Sequence, residues 1–423
     1  MATHRLNSAT TTTWMVDQTA DTWILGSAGS ITGTDITGIL ADNSIEEATI
    51  RVDGDIDLDG QTSIGVGLQT QMGAITVSDT GHVSADNTAL YFQNAGGTAT
   101  IDNAGVLQGE AGIYALGAQN SLDIGNSGRI HAFFGIGVAG AGATIINSGT
   151  IKADSGVFFG SGVGDTNPLL AENASHLVNS GKISGPTYSV QATEVAANIR
   201  NKGTLNGDVV LADGEDTFNN RGGRLNGDLF MGGGNDIVKA AGGTLKGVIH
   251  GGAGDDVVTL ASLATFYVEN AGQGIDTVRI NSTYLLGENI ENLTLLGRAN
   301  HTGIGNSLDN TITGNKGANT LYGLDGGDGL DGGKGNDLLF GGGDNDIFVF
   351  KPGYGKDTIG DFEHGVDHID LQAYQDIASF ADLAIDDIGN DKVITFSDTD
   401  KLVIRDAAAM TLDGGDFYFH LVV

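Results

Sequence analysis

The 423-residue chain has no cysteine, 3 prolines and only 6% aromatic residues. Without cysteine a disulfide framework is excluded, and the compartment is left open. Basic residues are scarce, 20 Lys and Arg against 53 Asp and Glu, for a net charge of −33. That balance excludes nucleic acid as a partner, because phosphate binding needs a basic face. No run of about 18 apolar residues exists, so a transmembrane segment is not expected. The opening "MATHRLNSATTTTWMVDQTADTWILG" has no charged segment followed by an apolar one, so a cleaved signal peptide is not evident. Enzyme signatures are missing as well: neither HExxH nor G-x-S-x-G occurs. "GIGVAG" at 135–140 matches G-x-G-x-x-G but lies inside a repeat with no helix after it. "DGDIDLDG" at 53–60 looks like an EF-hand loop, yet the twelfth position from Asp55 is Val66 where the loop needs Glu. His364 and His368 are four apart in a β context, a spacing that does not make a ligand pair.

What the chain does have is periodicity. Hydrophobic residues make up 40% and recur regularly, which argues against disorder, and the length allows two or three domains. An apolar residue, a Gly four positions on and an apolar residue two further recur from residue 25: Leu25, Gly29, Ile31; Ile50, Gly54, Ile56; Val77, Gly81, Val83; Ile101, Gly105, Leu107. The series continues to Gly243 at spacings of 20 to 32 residues. That period is too short for a helix pair and fits one coil of a right-handed parallel β-solenoid. Asn103, Asn126, Asn147, Asn179 and Asn201 hold one register two residues before the Gly, which predicts an Asn ladder at a coil corner. A second inward column is expected at Leu90, Ile113, Ile136, Val157, Val209, Leu229 and Val248. Its successors Tyr91, Tyr114, Phe158 and Phe230 then face outward, a broken aromatic stripe open to a sugar or a partner protein. The longest coil carries an insertion near 161–176 that is the natural place for recognition.

From about residue 205 an acidic corner appears. Gly214 and Asp216, Gly234 and Asp236, Gly254 and Asp256, Gly274 and Asp276 share one register. Further on the period falls to nine, with Asn310, Asn319, Asp328, Asp337 and Asp346 each followed two residues later by Ile312, Leu321, Leu330, Leu339 and Phe348. Residues 323–350 hold six aspartates and Lys334 as their only base. So much like charge needs a positive partner that is not protein, or the stretch is a disordered acidic linker.

The pattern G-G-x-G-x-D-x-apolar-x in "GGKGNDLLF", and nearly so in "GGAGDDVVT", resembles the repeats-in-toxin (RTX) family. The resemblance implies a β-roll of 18-residue coils in which glycine loops and aspartates hold several Ca²⁺ ions between stacked loops. On that register Asp328 stacks with Asp346 and Asn319 with Asp337. The expected metal-binding positions are Gly214, Asp216, Gly234, Asp236, Gly254, Asp256, Gly274 and Asp276 in the 20-residue coils. In the roll they are Gly317, Asn319, Gly326, Gly327, Asp328, Gly332, Gly333, Gly335, Asp337, Gly341, Gly342, Asp344 and Asp346. Residues 346–371 are similar to the strand pairs that close serralysin-like rolls, with Asp357, Asp361 and Asp367 as further ligands. The segments "DKVITFSDTDKLVIRDAA" and "TLDGGDFYFHLVV" resemble that family's capping hairpin and uncleaved type I secretion signal, although His420 departs from its acidic-then-apolar end.

The organisation expected is an N-terminal cap at 1–24, a parallel β-helix at 25–204, a transitional solenoid at 205–302, an RTX roll at 303–371 and a β cap with the secretion signal at 372–423. The function this implies is extracellular: a secreted, calcium-binding β-solenoid acting in adhesion, matrix or surface association, exported by type I secretion machinery, with a polysaccharide or cell-surface glycan as partner. The alternative is a uronan lyase or epimerase carried on the β-helix, since parallel β-helices joined to RTX modules resemble alginate-modifying enzymes. Against it stand only six Lys and Arg in the first 200 residues and no evident cluster of Arg, His, Tyr and Asp at matching coil positions. No catalytic residue is assigned.

Overall fold

The computed structural model describes residues 2–420 except 19–20, 43, 71, 94–97, 117–120, 140–141, 161–173, 194–195 and 261–265. Most of the expected recognition insertion, 161–173, therefore lies outside the described residues, as do the last three residues of the expected secretion signal. The chain forms two compact units, Met1–Gly251 and Gly252–Val423. Each is a parallel β-solenoid. Helix among the described residues is confined to two short 3-10 turns, Phe380–Asp382 and Gly414–Asp416. No helix among them is long and apolar enough to cross a membrane.

In the first unit each coil contributes a strand to one sheet, turns at a Gly, and continues into a longer or divided strand of a second sheet. Thr98–Asn103 followed by Val106–Leu116 is one such coil. Alternation sends every second residue inward, and the same inward positions stack from coil to coil. The column Ile31, Ile56, Val83, Leu107, Ile130 and Ile151 is in strict register and fully buried. Thr3–Leu6 already pairs with Thr22–Leu25, so the coil stack begins near the start of the chain.

The other column of the repeat is less uniform than the spacing suggests. Ile50, Ile75, Ile101, Ile124 and Ile145 stand opposite one another, but Leu25 and Val77 align with Val52 and with Asn103 instead. In the coils of Leu25 and Val77 the turn to the glycine is longer, closed by bonds from Gly29 N–H to Gly26 O and from Gly81 N–H to Ser78 O. Four residues before the Gly is thus the last residue of the strand there, and the third residue from the end in the others. The Asn ladder grows directly on this apolar stack. Asn103, Asn126, Asn147, Asn179 and Asn201 each donate through Nδ2 to Oδ1 of the next, at 2.8, 2.7, 2.8 and 2.8 Å. Asn201 donates to Asn220, a sixth rung at 2.7 Å. Asn220 escapes a search two residues before glycine because it lies three before Gly223, where the turn lengthens again.

The second-sheet column Leu90, Ile113, Ile136, Val157, Val209 and Leu229 is inward, with Val190 filling the coil between Val157 and Val209. Val248 does not continue it. Ile249, fully buried, does, while Val248 sits at the corner with its N–H on Asp228 Oδ1 at 2.8 Å. The aromatic stripe is half-buried and outward, with Tyr91, Tyr114, Gly137 and Phe158 in one row and the first two rings 6.3 Å apart.

The second unit alternates short strands between two sheets. Val258, Val278, Leu293, Ile312, Leu330, Phe348, Ile369 and Phe417 form one buried column. Leu321, Leu339, Ile359 and Ile404 form another on the opposite sheet. Ala384–Ile388 and Asp391–Thr395 form an antiparallel hairpin that reaches this sheet through Lys401–Ile404, a capping hairpin with one more strand.

The buried ladder sets a test of the first unit. Asn147→Leu strands the Asn126 amide donor and the Asn179 carbonyl acceptor, so it should cost about 2–5 kcal/mol. Denaturant unfolding measures the loss, and a cost below about 1 kcal/mol would show that the rungs contribute nothing beyond volume.

Candidate metal centres

The acidic loops owe their shape to glycine at two positions. In the loop ending at Asp337, Gly333 and Gly335 have φ of +80° and +145°, a region side chains avoid. The equivalents are Gly342 at +110° with Asp344 at +74°, and Leu324 at +93° with Gly326 at +103°. In the 20-residue coils Gly214, Gly234, Gly254 and Gly274 take the same conformation. The first glycine of each loop has a different reason. A Cβ on Gly332 or Gly341 would run into the carboxylate of its own loop, Asp337 or Asp346. Other loop N–H groups are held by side chains, Gly327 by Asp309 Oδ1 at 2.8 Å and Gly317 by Asn315 Oδ1 at 2.7 Å.

Each loop aspartate is fixed by the preceding coil. Asp328 Oδ1 accepts the N–H of Asn310 at 2.7 Å, Asp346 that of Asp328 at 2.8 Å, and Asp367 that of Asp346 at 3.1 Å. The opposite edge repeats this, with Asn319 donating to Asp337 at 2.6 Å and Asp337 to Asp357 at 2.9 Å. Asp216 bonds upward to Asp236 at 2.7 Å, and Asp256 to Asp276 at 2.9 Å. The two stacked edges expected from the nine-residue register are therefore present. One oxygen of each carboxylate is committed to the backbone, while Oδ2 of Asp216, Asp328, Asp337 and Asp346 is buried without a hydrogen-bond partner.

Burial pushes the carboxyls of Asp216, Asp276, Asp328, Asp337 and Asp346 up to about 7, and that of Asp357 to about 6. Neighbouring carboxylates add to the shift, Asp357 on Asp337 and Asp367 on Asp346. The remaining expected positions differ in detail. Asp361 accepts from Gly341 and Gly342 N–H at 3.0 and 3.1 Å, and Asp367 also accepts from Glu363 N–H at 2.8 Å, so both clamp loops. Asp344 is exposed, its carboxylate reaching Gly326 N–H at 3.4 Å.

Two glutamates escape the sequence pattern. Glu291 continues the Asp256–Asp276 row by accepting Asp276 N–H at 2.8 Å. The row steps by only 15 residues there, and its acid is one carbon longer, so periodicity gives no signal. Glu269 accepts Gly252 N–H at 3.1 Å and brings its carboxylate within 4.8 Å of those of Asp256 and Asp276. The Tyr267 hydroxyl is buried against the same three acids, which with burial raise its pKa.

A hard divalent cation fits this chemistry. The donors are all oxygen, the orphaned Oδ2 atoms are buried, and the charge is negative on every edge. The family model of the RTX calcium-binding nonapeptide repeat, in four copies, matches residues 248–262, 304–339 and 322–354. The chain carries RTX calcium-binding repeats. A solved structure with similarity to it is the solution structure of the AlgE6R3 subunit from the Azotobacter vinelandii mannuronan C5-epimerase, at 25% identity over 29% of this chain and 80% of that one, with a TM-score of 0.24. No curated protein matches.

The buried RTX carboxyls give metal-free protein a pH dependence of definite sign. Their folded pKa lies above the ordinary 3.8, so their contribution to stability is fully present below that value and is lost as pH rises through about 7. Calcium needs them ionised, and the sign inverts when it binds. In chelator, amide protection of residues 319–357 should fall between pH 5 and 8; in excess Ca²⁺ it should rise. Asp337→Asn should flatten the chelator profile, whereas simple relief of overall repulsion would leave it unchanged. Leu324→Gly, which removes a left-handed leucine, should stabilise the roll by ~1 kcal/mol and lower the Ca²⁺ midpoint.

Proposed function

We propose that this is an extracellular, calcium-dependent β-solenoid, exported unfolded by type I secretion machinery and folded outside, where it associates with a glycan-bearing surface or matrix. One observation carries the reading. The roll stacks carboxylates whose second oxygen is buried and unpartnered, an arrangement that costs several kcal/mol per group unless a cation sits there. In a cytosol poor in Ca²⁺ the roll would stay open, and millimolar Ca²⁺ outside would close it. On this reading Asp216, Asp236, Asp256, Asp276, Asp328, Asp337, Asp346 and Asp357 are ligands, with Glu269 and Glu291 completing the centre of the 20-residue coils.

The C-terminal segment has a structural duty besides any role in export. Asp416 is buried and accepts from Gly365 N–H at 3.1 Å and pairs with His364 Nδ1 at 2.8 Å, and Phe417 pairs with Ile369. Export is therefore better tested by removing residues 421–423 than by a longer truncation.

Hydrogen exchange with and without excess chelator tests the reading. Residues 303–371 should lose protection on chelation, and the described parts of 25–200, built on apolar columns and the Asn ladder, should keep theirs. Asp337→Ala should weaken its region more than Asp55→Ala weakens the first coils, because Asp55 is an exposed strand residue. Equal protection of 303–371 in both conditions would overturn the calcium reading. Unsaturated or reducing ends released from a polysaccharide panel, and lost on mutation of a carboxylate in the first 200 residues, would favour the lyase or epimerase alternative.

A further inference from the structure

The first unit concentrates its few cations. Arg129, Thr150, Lys182, Thr204, Arg224 and Thr244 occupy one outward row of the second sheet, each in register with the next. Two residues along, His131 stands opposite Lys152, and Lys152 opposite Ser184. Arg129, His131, Lys152, Lys182 and Arg224 are all exposed, and none forms an ion pair among the described residues. The linear spacing hides this, because Arg129, Lys152, Lys182 and Arg224 follow one another at 23, 30 and 42 residues.

The strands that carry the cations also carry a cleft. It is about 460 Å³ and is lined by Tyr114, Phe134, Phe158, Tyr188 and Gln191, with Glu110 on its wall. Phe134, 44% exposed, lies three residues beyond His131 on Arg129–Ala139, and Tyr188 six beyond Lys182 on Lys182–Ala192. Gly137 forms part of the lining, and a Cβ there would press on the Tyr114 ring. Carboxylates flank this face: Asp154 two residues after Lys152, Glu110 on the cleft, Asp86 in a shallow pocket shared with His131, and Asp208 opposite Tyr188.

We propose that this face binds an anionic polysaccharide, its carboxylates or sulfates on Arg129, His131, Lys152 and Lys182 and its sugar faces against the aromatic cleft. The proposal rests on the surface-association reading above and names the polymer. Charge spacing selects the class. Arg129 with His131, Lys152 and Lys182 stand on three successive coils, roughly 4.8 Å apart. Nucleic acid carries a charge every ~3.4 Å per strand, closer than the cations step. A polymer with one charge per sugar suits that step, with its hydroxyls facing Thr150, Ser184 and Thr204.

The test uses the full chain with polygalacturonate, neutral dextran and single-stranded DNA, each with Ca²⁺ and with chelator. Expected is binding to polygalacturonate in both conditions, weakened by salt and by at least about tenfold in the K152E/K182E variant, with Lys356→Glu as a control that changes nothing. Amide protection confirms that the variant remains folded. Undiminished binding by K152E/K182E, equal binding to dextran, or tighter binding to DNA would overturn the proposal. Uronan binding that needs Ca²⁺ and survives the charge reversals would move the polymer to the calcium centres, overturning this proposal while leaving the calcium reading intact. A roll insensitive to chelator, with binding still lost in K152E/K182E, would do the reverse.

Discussion

The structure depends on a carboxylate that is only half satisfied. In every acidic coil Oδ1 ties the loop to the backbone of the preceding coil, and that bond fixes the stacking distance and the loop's orientation. At Asp216, Asp328, Asp337 and Asp346 the same bond leaves Oδ2 in the interior, where no hydrogen-bond donor reaches it. Moving the side chain outward would free the oxygen but lose the interstrand link. A cation between loops satisfies both demands, so the fold and the metal chemistry are one constraint.

The Asn ladder of the first unit shows what the acidic rows lack. An asparagine brings one acceptor and two donors, so each rung bonds to the next and the stack is closed without outside help. An ionised aspartate brings acceptors only, and a stack of them accumulates unmet acceptors and charge. Asn310 and Asn319 bring an amide into the acidic rows. They occupy the first aspartate positions of the roll, and their amides donate to Ile290 O at 3.1 Å and His301 O at 3.4 Å. Asn310 thus sets a neutral residue with its own donor between Glu291 and Asp328, and Asn319 does the same ahead of Asp337.

Much of this was legible in the residues. Identical positions recur in every coil, so the buried columns, the Asn ladder and the two acidic edges follow from counting. What counting missed lies where turns change length. Leu25, Val77 and Asn220 shift by one or two positions relative to the coil glycine, and Val248 gives way to Ile249, because a corner gains or loses a residue while the strand keeps its phase. Glu291 was invisible for a related reason, a coil shortened to 15 residues with a longer acid spanning the difference. Chemistry held by a strand is periodic, and chemistry held by a corner is not.

The solenoid also explains how so few bases can matter. In a globular fold a handful of scattered lysines would be diluted over the surface. Here every outward residue belongs to a row parallel to the stack, so one cation on alternate coils becomes a line of charge without any clustering in sequence. The same rule turns single tyrosines and phenylalanines into a lined cleft and single aspartates into ion-binding edges. The excess negative charge is therefore organised by row. Much of it is gathered at the loop edges, where a divalent ion neutralises it, and the part of the row from Arg129 to Thr244 carries none, although an earlier coil of the same row holds Asp55. A chain of strongly negative net charge can in this way present a basic face to an anionic polymer, because at physiological salt carboxylates more than about 8 Å away are largely screened.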